Sequence, residues 1–92
     1  MDDKTVLAEL EALAHQLRVE IRYEALSGET FFAGGMCRIR GRPVIIVNKG
    51  ASLREKTTTL IRALGRFDLN GMYLKPALRE LLESAQNPDG QE

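Results

Sequence analysis

Residues 44–47 are Val-Ile-Ile-Val, and this stretch constrains the fold more than any other part of the chain. Four successive apolar side chains put apolar groups on both faces of an extended strand, which is typical of a strand in the middle of a sheet. Residues 36–40 form a second short stretch before it, and Gly41-Arg42 between the two suits a type II′ turn, with glycine first. We therefore predict a β-hairpin over residues 36–48, with its second strand at the centre of a sheet.

The turn at Gly41-Arg42 also predicts which residues of the hairpin face each other. In that register Cys37 pairs with Ile46, and Arg38 lies opposite Ile45 on the other face of the hairpin. Because Ile46 is apolar, we predict that the Cys37 face is the core face and that its thiol is buried.

Hydrophobic periodicity predicts the elements on either side of the hairpin. Apolar residues recur at helical spacing over residues 4–18, and the period then changes to strand alternation over residues 19–23. Ser52 and Glu55 form a capping box that begins a helix over residues 52–66. The buried stripe predicted for that helix is Leu53, Thr57, Leu60, Ile61 and Leu64. Pro76 begins a further helix over residues 76–85.

Together these elements predict an α+β fold in one small domain, residues 1–86, which is large enough to bury one core. It consists of an N-terminal helix, a small antiparallel or mixed sheet of about three strands, a capped central helix and a C-terminal helix. Residues 87–92 have no apolar anchor, and we predict a disordered tail there.

Charge is unevenly distributed along the chain, although the 92 residues carry no net charge. Residues 36–66 hold eight Lys and Arg with Glu55 as their one acidic residue, whereas the two flanking parts are acidic. Such a segment either binds an anionic partner or is neutralised by acidic helices packed beside it. The arginines that would form an anion-binding or partner-binding surface are Arg38, Arg40, Arg42, Arg62 and Arg66. Because Arg38 and Arg40 alternate along a strand, we expect them on the same side.

A single cysteine and a single histidine limit the chemistry of the chain. Cys37 has no partner for an intrachain disulfide, and together with the lack of an apolar export signal this indicates the cytoplasm. No apolar run approaches the ~20 residues of a membrane span, so we expect no membrane insertion. Cys37 beside Arg38 could be a reactive thiol, with His15 as its base, although a buried structural thiol is favoured. One His and one Cys cannot complete a zinc site, so we expect no metal and no cofactor.

Residues 58–66, Thr-Thr-Leu-Ile-Arg-Ala-Leu-Gly-Arg, match the pattern T-L-x-H-E-L-G-H in spacing and in Leu64-Gly65. The alternating strand at residues 19–23 and the Ile-Val-Asn end of the hairpin precede this helix in the order known from one enzyme family. Over roughly residues 6–69 the chain therefore resembles the small zinc metallopeptidase domains of the ImmA/IrrE type.

The departures from that family fall on the positions that carry its chemistry. Arg62 and Arg66 stand where the two zinc-binding histidines are expected, and a guanidinium has no lone pair to offer a metal. Ala63 stands where the glutamate that acts as general base is expected. The resemblance therefore implies a non-catalytic relative without zinc, and otherwise Arg62 and Arg66 are one turn of a solvated helix face.

Three functions remain open from the sequence. The first is a non-catalytic metallopeptidase-like domain that is a protein-interaction or regulatory module, with a protein partner or a homodimer. The second is an anion or nucleic-acid binder that uses residues 36–66, although nucleic acid is disfavoured because no aromatic residues interleave with the basic ones. The third is a thiol-dependent activity at Cys37.

Overall fold

The computed structural model describes residues 1–26 and 33–86. It contains three helices and a three-stranded mixed sheet, as predicted. The elements in chain order are α1 (Asp3–Leu17), β1 (Glu20–Glu24), β2 (Gly34–Ile39), β3 (Arg42–Asn48), α2 (Leu53–Leu64) and α3 (Pro76–Gln86). The tail predicted at residues 87–92 lies outside the described residues.

The sheet has the order β1-β3-β2, which confirms that the Val-Ile-Ile-Val strand is central. β1 runs parallel to β3, and β2 runs antiparallel to it. Within the described residues β2 therefore has a neighbouring strand on one side only. Ile45 and Val47 of β3 are fully buried against the helices, and Val44 and Ile46 point to the opposite face.

The helices form one layer on the face of the sheet that carries Ile45 and Val47. α1 and α2 pack against each other and against the strands, and α3 packs on α2. Their apolar stripes meet in one cluster, whose fully buried leucines are Leu10, Leu60, Leu64, Leu78 and Leu82. Burial of one such side chain stabilises the fold by about 1.5–3 kcal/mol, so this cluster holds the two layers together.

α1 and α2 both begin with a side-chain cap, of which the capping box of α2 was predicted. Asp2 accepts a hydrogen bond from the backbone N–H of Thr5 at 2.9 Å, and Ser52 and Glu55 form the capping box of α2. The buried stripe of α2 differs from the prediction at its edges. Leu53 is exposed in the first turn, whereas Ala63 is buried against the core.

The predicted hairpin register is wrong. The two residues of the turn are Arg40 and Gly41, with φ of 55° and 80°. Positive φ at both central residues is typical of a type I′ turn, not of the predicted type II′ turn. Cys37 therefore pairs with Val44 rather than with Ile46.

Arg38 pairs with Pro43 rather than with Ile45. The register shifts by two residues, so each side chain keeps its predicted face and meets a different partner. The predicted core face is nevertheless the wrong one, because the helices cover the face of Ile45.

Cys37 consequently lies on the sheet face away from the helices, and it is exposed. The prediction of a buried thiol is wrong for a simple reason. β3 is apolar on both faces, so its pattern cannot indicate which face the helices cover.

Candidate functional site

A groove separates the second half of α2 from the edge strand β2. One wall consists of Thr59, Arg62 and Ala63 of α2 together with Arg66, which follows the helix, and the strand wall is residues 33–36. This part of the groove has a volume of about 280 Å³. The positions at which the chain departs from the zinc peptidase pattern therefore lie together on one wall of a groove.

The groove continues past the end of α2 into a cleft of about 460 Å³. The two parts share Met36 and Arg66, and the second part adds Cys37, Arg38, Pro43, Phe67 and Asp68. We call the whole depression the α2–β2 groove; it runs along residues 33–38 on one side and residues 59–68 on the other. Residue numbers rise in the same direction along both walls.

The α2–β2 groove is positively charged. Arg38, Arg62 and Arg66 line it against one acidic side chain, Asp68. Arg38 donates a hydrogen bond to the carbonyl oxygen of Gly41 at 3.1 Å. Within residues 1–26 and 33–86, neither Arg62 nor Arg66 forms an ion pair or a side-chain hydrogen bond, so both guanidinium groups are available to a ligand.

Internal ion pairs neutralise little of the basic segment. Among the basic residues from 36 to 66, the described part of the structure pairs only Arg54, whose Nε lies 3.1 Å from the Asp3 carboxylate. Lys56 lies over the ring of Tyr23, 5.9 Å from its centroid. The acidic helices therefore do not cover the arginines of the groove with carboxylates.

The chemistry of the groove does not fit a zinc ion. Arg62 and Arg66 supply hydrogen-bond donors and no metal ligand, and Ala63 has no group that could accept a proton. His15, which is exposed, belongs to α1. In the part of the chain that the structure describes, no three His, Cys, Asp or Glu side chains are grouped so that they could hold a metal ion.

The Leu64-Gly65 pair, which carries part of the resemblance, has a packing role of its own. Leu64 is fully buried in the core. A Cβ at position 65 would lie 2.9 Å from the carbonyl oxygen of Ile61, 3.0 Å from that of Leu82 and 3.1 Å from the Cβ of Ala85. Glycine at this position thus lets α3 approach the end of α2, with or without a metal-binding ancestor.

The five arginines of the predicted anion-binding surface do not share one site. Arg38, Arg62 and Arg66 line the α2–β2 groove, whereas Arg40 and Arg42 line a separate cleft. That cleft, about 600 Å³, lies on the sheet face away from the helices and also contains Glu20, Arg22, Ile39 and Val44. Arg38 and Arg40 are not on the same side, because Arg40 belongs to the turn and not to the strand.

Cys37 and His15 are not brought together as a catalytic pair. His15 is on α1, which packs on the Ile45 face of the sheet, and the Cys37 side chain belongs to the Val44 face. The sheet itself therefore separates the thiol from the histidine that was considered as its base.

One cluster was missed by the sequence interpretation. The Tyr23 hydroxyl donates a hydrogen bond to the Glu11 carboxylate, which joins β1 to α1. Burial is the largest cause that raises the pKa of Tyr23, and the hydrogen bond with Glu11 raises it further. The alternation over residues 19–23 predicted a half-buried strand, but nothing in the sequence indicated which acidic residue of α1 would meet the Tyr23 hydroxyl.

Comparison of the chain with protein-family models, with curated proteins and with solved structures finds no match. Within residues 1–26 and 33–86, no helix is long and apolar enough to cross a membrane.

Proposed function

We propose that this chain is a non-catalytic, metallopeptidase-like domain that serves as a protein-interaction module, with the α2–β2 groove as its binding site. The observation that carries the proposal is the placement of Arg62, Ala63 and Arg66 side by side on one wall of that groove. A groove at this place with donor groups instead of metal ligands suits binding and not hydrolysis.

The argument against catalysis rests on the residues present. Hydrolysis of a peptide bond needs an activated water and a group that accepts its proton. The guanidinium groups of Arg62 and Arg66 offer hydrogen-bond donors and no lone pair, and the Ala63 methyl group accepts no proton. Cys37 offers an exposed thiol, but His15 lies across the sheet from it.

A cytoplasmic location belongs to the same proposal, since an exposed thiol such as Cys37 stays reduced there. A homodimer is the simplest partner arrangement for a small domain and remains part of the proposal.

Metal analysis tests the non-catalytic half of the proposal. The protein is purified with and without added zinc, and its zinc content is measured by mass spectrometry after desalting. We expect less than a stoichiometric amount in both samples. If the wild type contains one zinc ion per chain and the Arg62→Ala/Arg66→Ala variant contains none, the proposal of a non-catalytic domain is wrong.

Selection from a random-peptide display library tests the binding half. Enriched peptides should lose binding to Arg62→Glu/Arg66→Glu, because these substitutions change the groove wall at exposed positions. Arg42→Glu, in the separate cleft, is the matched control and should bind as the wild type does. Enriched peptides that bind the wild type and both variants alike would show that the groove is not the binding site.

The second candidate is an anion or nucleic-acid binder, and the absence of ion pairs at Arg62 and Arg66 among the described residues favours it. Binding of single-stranded DNA or polyphosphate through these arginines should weaken steeply with salt. Titration at low ionic strength that detects neither ligand would remove this candidate.

A further inference from the structure

The edge of the sheet beside the groove is suited to pair with an extended polypeptide. Within the described residues β2 pairs with β3 alone, so alternate N–H and C=O groups of β2 point away from the sheet. Gly34 and Gly35 add no side chain to this wall, which leaves the backbone accessible to a second chain. Addition of a peptide strand to such an edge is a general mode of peptide recognition.

The opposite wall presents two positive charges, four residues apart in the sequence. Arg62 lies in the last turn of α2 and Arg66 lies two residues beyond its last residue, and two like charges this close repel each other. Neither has an acidic partner in the part of the chain that the structure describes. A ligand with two carboxylates would remove this repulsion and would gain charge-assisted, bidentate hydrogen bonds from the guanidinium groups.

The spacing of the two arginines matches that of alternate side chains on a strand. Gly65, which follows α2, keeps a helical φ of −64° and ψ of −14°, so the rise from Arg62 to Arg66 stays close to the ~6 Å of four helical residues, and two residues of strand rise about 6.7 Å. Since residue numbers rise in the same direction along the two walls, a peptide strand beside β2 lies along the line of Arg62 and Arg66. Its alternate side chains, which share one face, would meet the two guanidinium groups in turn.

We propose that the α2–β2 groove binds an extended acidic segment of a partner protein, with carboxylates at alternate positions that pair with Arg62 and Arg66. Arg38, on the β2 wall, adds a positive charge to the part of the groove near Arg66, and Asp68 limits how far acidic residues are accepted in that direction. This proposal rests on the proposed function and specifies the class of ligand.

The probe is a rhodamine-labelled, terminally blocked peptide of six residues, the length of β2. It carries two glutamates at alternate positions among valine and threonine. One comparison peptide has the same composition with the glutamates adjacent, and another has glutamines in place of both glutamates. Fluorescence anisotropy is measured with the whole chain at low ionic strength.

We expect the alternating peptide to bind about tenfold more tightly than either comparison peptide, as two exposed ion pairs allow. Arg62→Gln/Arg66→Gln should abolish this preference, and Arg40→Gln/Arg42→Gln should retain it. Hydrogen exchange at β2 amides should slow when the alternating peptide is bound. Circular dichroism of each variant verifies that it is folded.

Equal affinity for the adjacent and alternating glutamates would overturn the proposal, because it would show unspecific charge attraction. Tight binding of the glutamine peptide in the groove would overturn it as well, while the proposed interaction module would stand. A failure of every library peptide to bind the groove removes the interaction module itself.

Two other occupants are distinguished in the same way. If oligothymidine binds more tightly than the peptide and displaces it, the occupant is a nucleic acid, and the peptide proposal falls. If sedimentation shows a homodimer that dissociates in Arg62→Gln/Arg66→Gln, a second copy of the chain occupies the groove, and the proposal of an acidic partner falls.

Discussion

Replacement of Gly34 by alanine should destabilise this domain more than the same replacement at Gly41, Gly50, Gly65 or Gly71. Gly34 has φ of 138°, a conformation that L side chains rarely adopt. An added Cβ would lie 2.2 Å from the carbonyl oxygen of Ile46 and 3.0 Å from the Cα of Val47, so the backbones of β2 and β3 would have to separate.

The expected loss follows from these two costs. A strained backbone conformation costs about 1–3 kcal/mol, and forcing atoms into a packed space costs about 1–3 kcal/mol more. The sum of about 2–6 kcal/mol compares with a total stability of about 5–15 kcal/mol for a typical domain. Gly34→Ala should therefore leave a domain that is marginally stable or unfolded at room temperature.

Urea unfolding followed by far-ultraviolet circular dichroism measures this loss. With a slope of about 1.5 kcal/mol/M, a loss of 3 kcal/mol lowers the midpoint by about 2 M. Gly50→Ala is the matched control and should shift the midpoint little, since among the described residues its Cβ would meet only the Asn48 Oδ1, at 3.4 Å. If Gly34→Ala unfolds at the same urea concentration as Gly50→Ala, the close approach of β2 and β3 described above is wrong.

Three further predictions concern the packing of the helices, the missed tyrosine and the exposed thiol. Gly65→Ala should destabilise the fold by about 1–2 kcal/mol in urea unfolding, because the cost of overpacking against α3 exceeds the entropic gain of alanine. Ala85→Gly should recover part of this loss. If the effects of the two substitutions on the free energy of unfolding simply add, residues 65 and 85 are not in contact. Tyr23→Phe should cost about 0.5–1.5 kcal/mol at neutral pH by loss of the hydrogen bond with Glu11. Because the pKa of Tyr23 is raised in the folded state, its contribution to stability is present below about pH 10 and is lost as pH rises further. The stabilities of wild type and Tyr23→Phe should therefore converge at alkaline pH. A difference in stability that stays constant with pH would refute the pKa shift. Cys37 should react with a disulfide reagent in the native protein at nearly the rate measured in denaturant, and strong protection of the thiol would show that it is covered.

The motif-like helix illustrates why a pattern match and a site are different things. Leu64 and Gly65 match the peptidase pattern, yet both have a packing reason to be where they are. Arg62 and Arg66 differ from the pattern, yet they lie on the groove wall together with Ala63. These arginines are exposed, and they also line the groove opposite β2.

Local signals in the sequence predicted the elements of the fold well. The helical period of residues 4–18, the capping box at Ser52 and Pro76 each mark a helix that the structure contains, because caps and periodicity depend on neighbouring residues alone. The four apolar residues 44–47 likewise identified the central strand. For the candidate site, the sequence predicted Arg62, Ala63 and Arg66 on one helix, whereas α2 ends at Leu64 and Arg66 follows it, and the sequence did not reveal what lies across from them.

Tertiary packing decided the features that distinguish one side of the molecule from the other. A strand that is apolar on both faces is compatible with helices on either face, so only the packing of α1 and α2 determined that Ile45 is in the core and that Cys37 is exposed. The turn conformation at Arg40-Gly41 then set the register of β2 against β3. The sequence by itself determined which elements form. Contacts between residues far apart in the chain decided that Arg62 and Arg66 share a groove with Arg38. Charge and periodicity could not predict this, because they carry no information about which elements become neighbours.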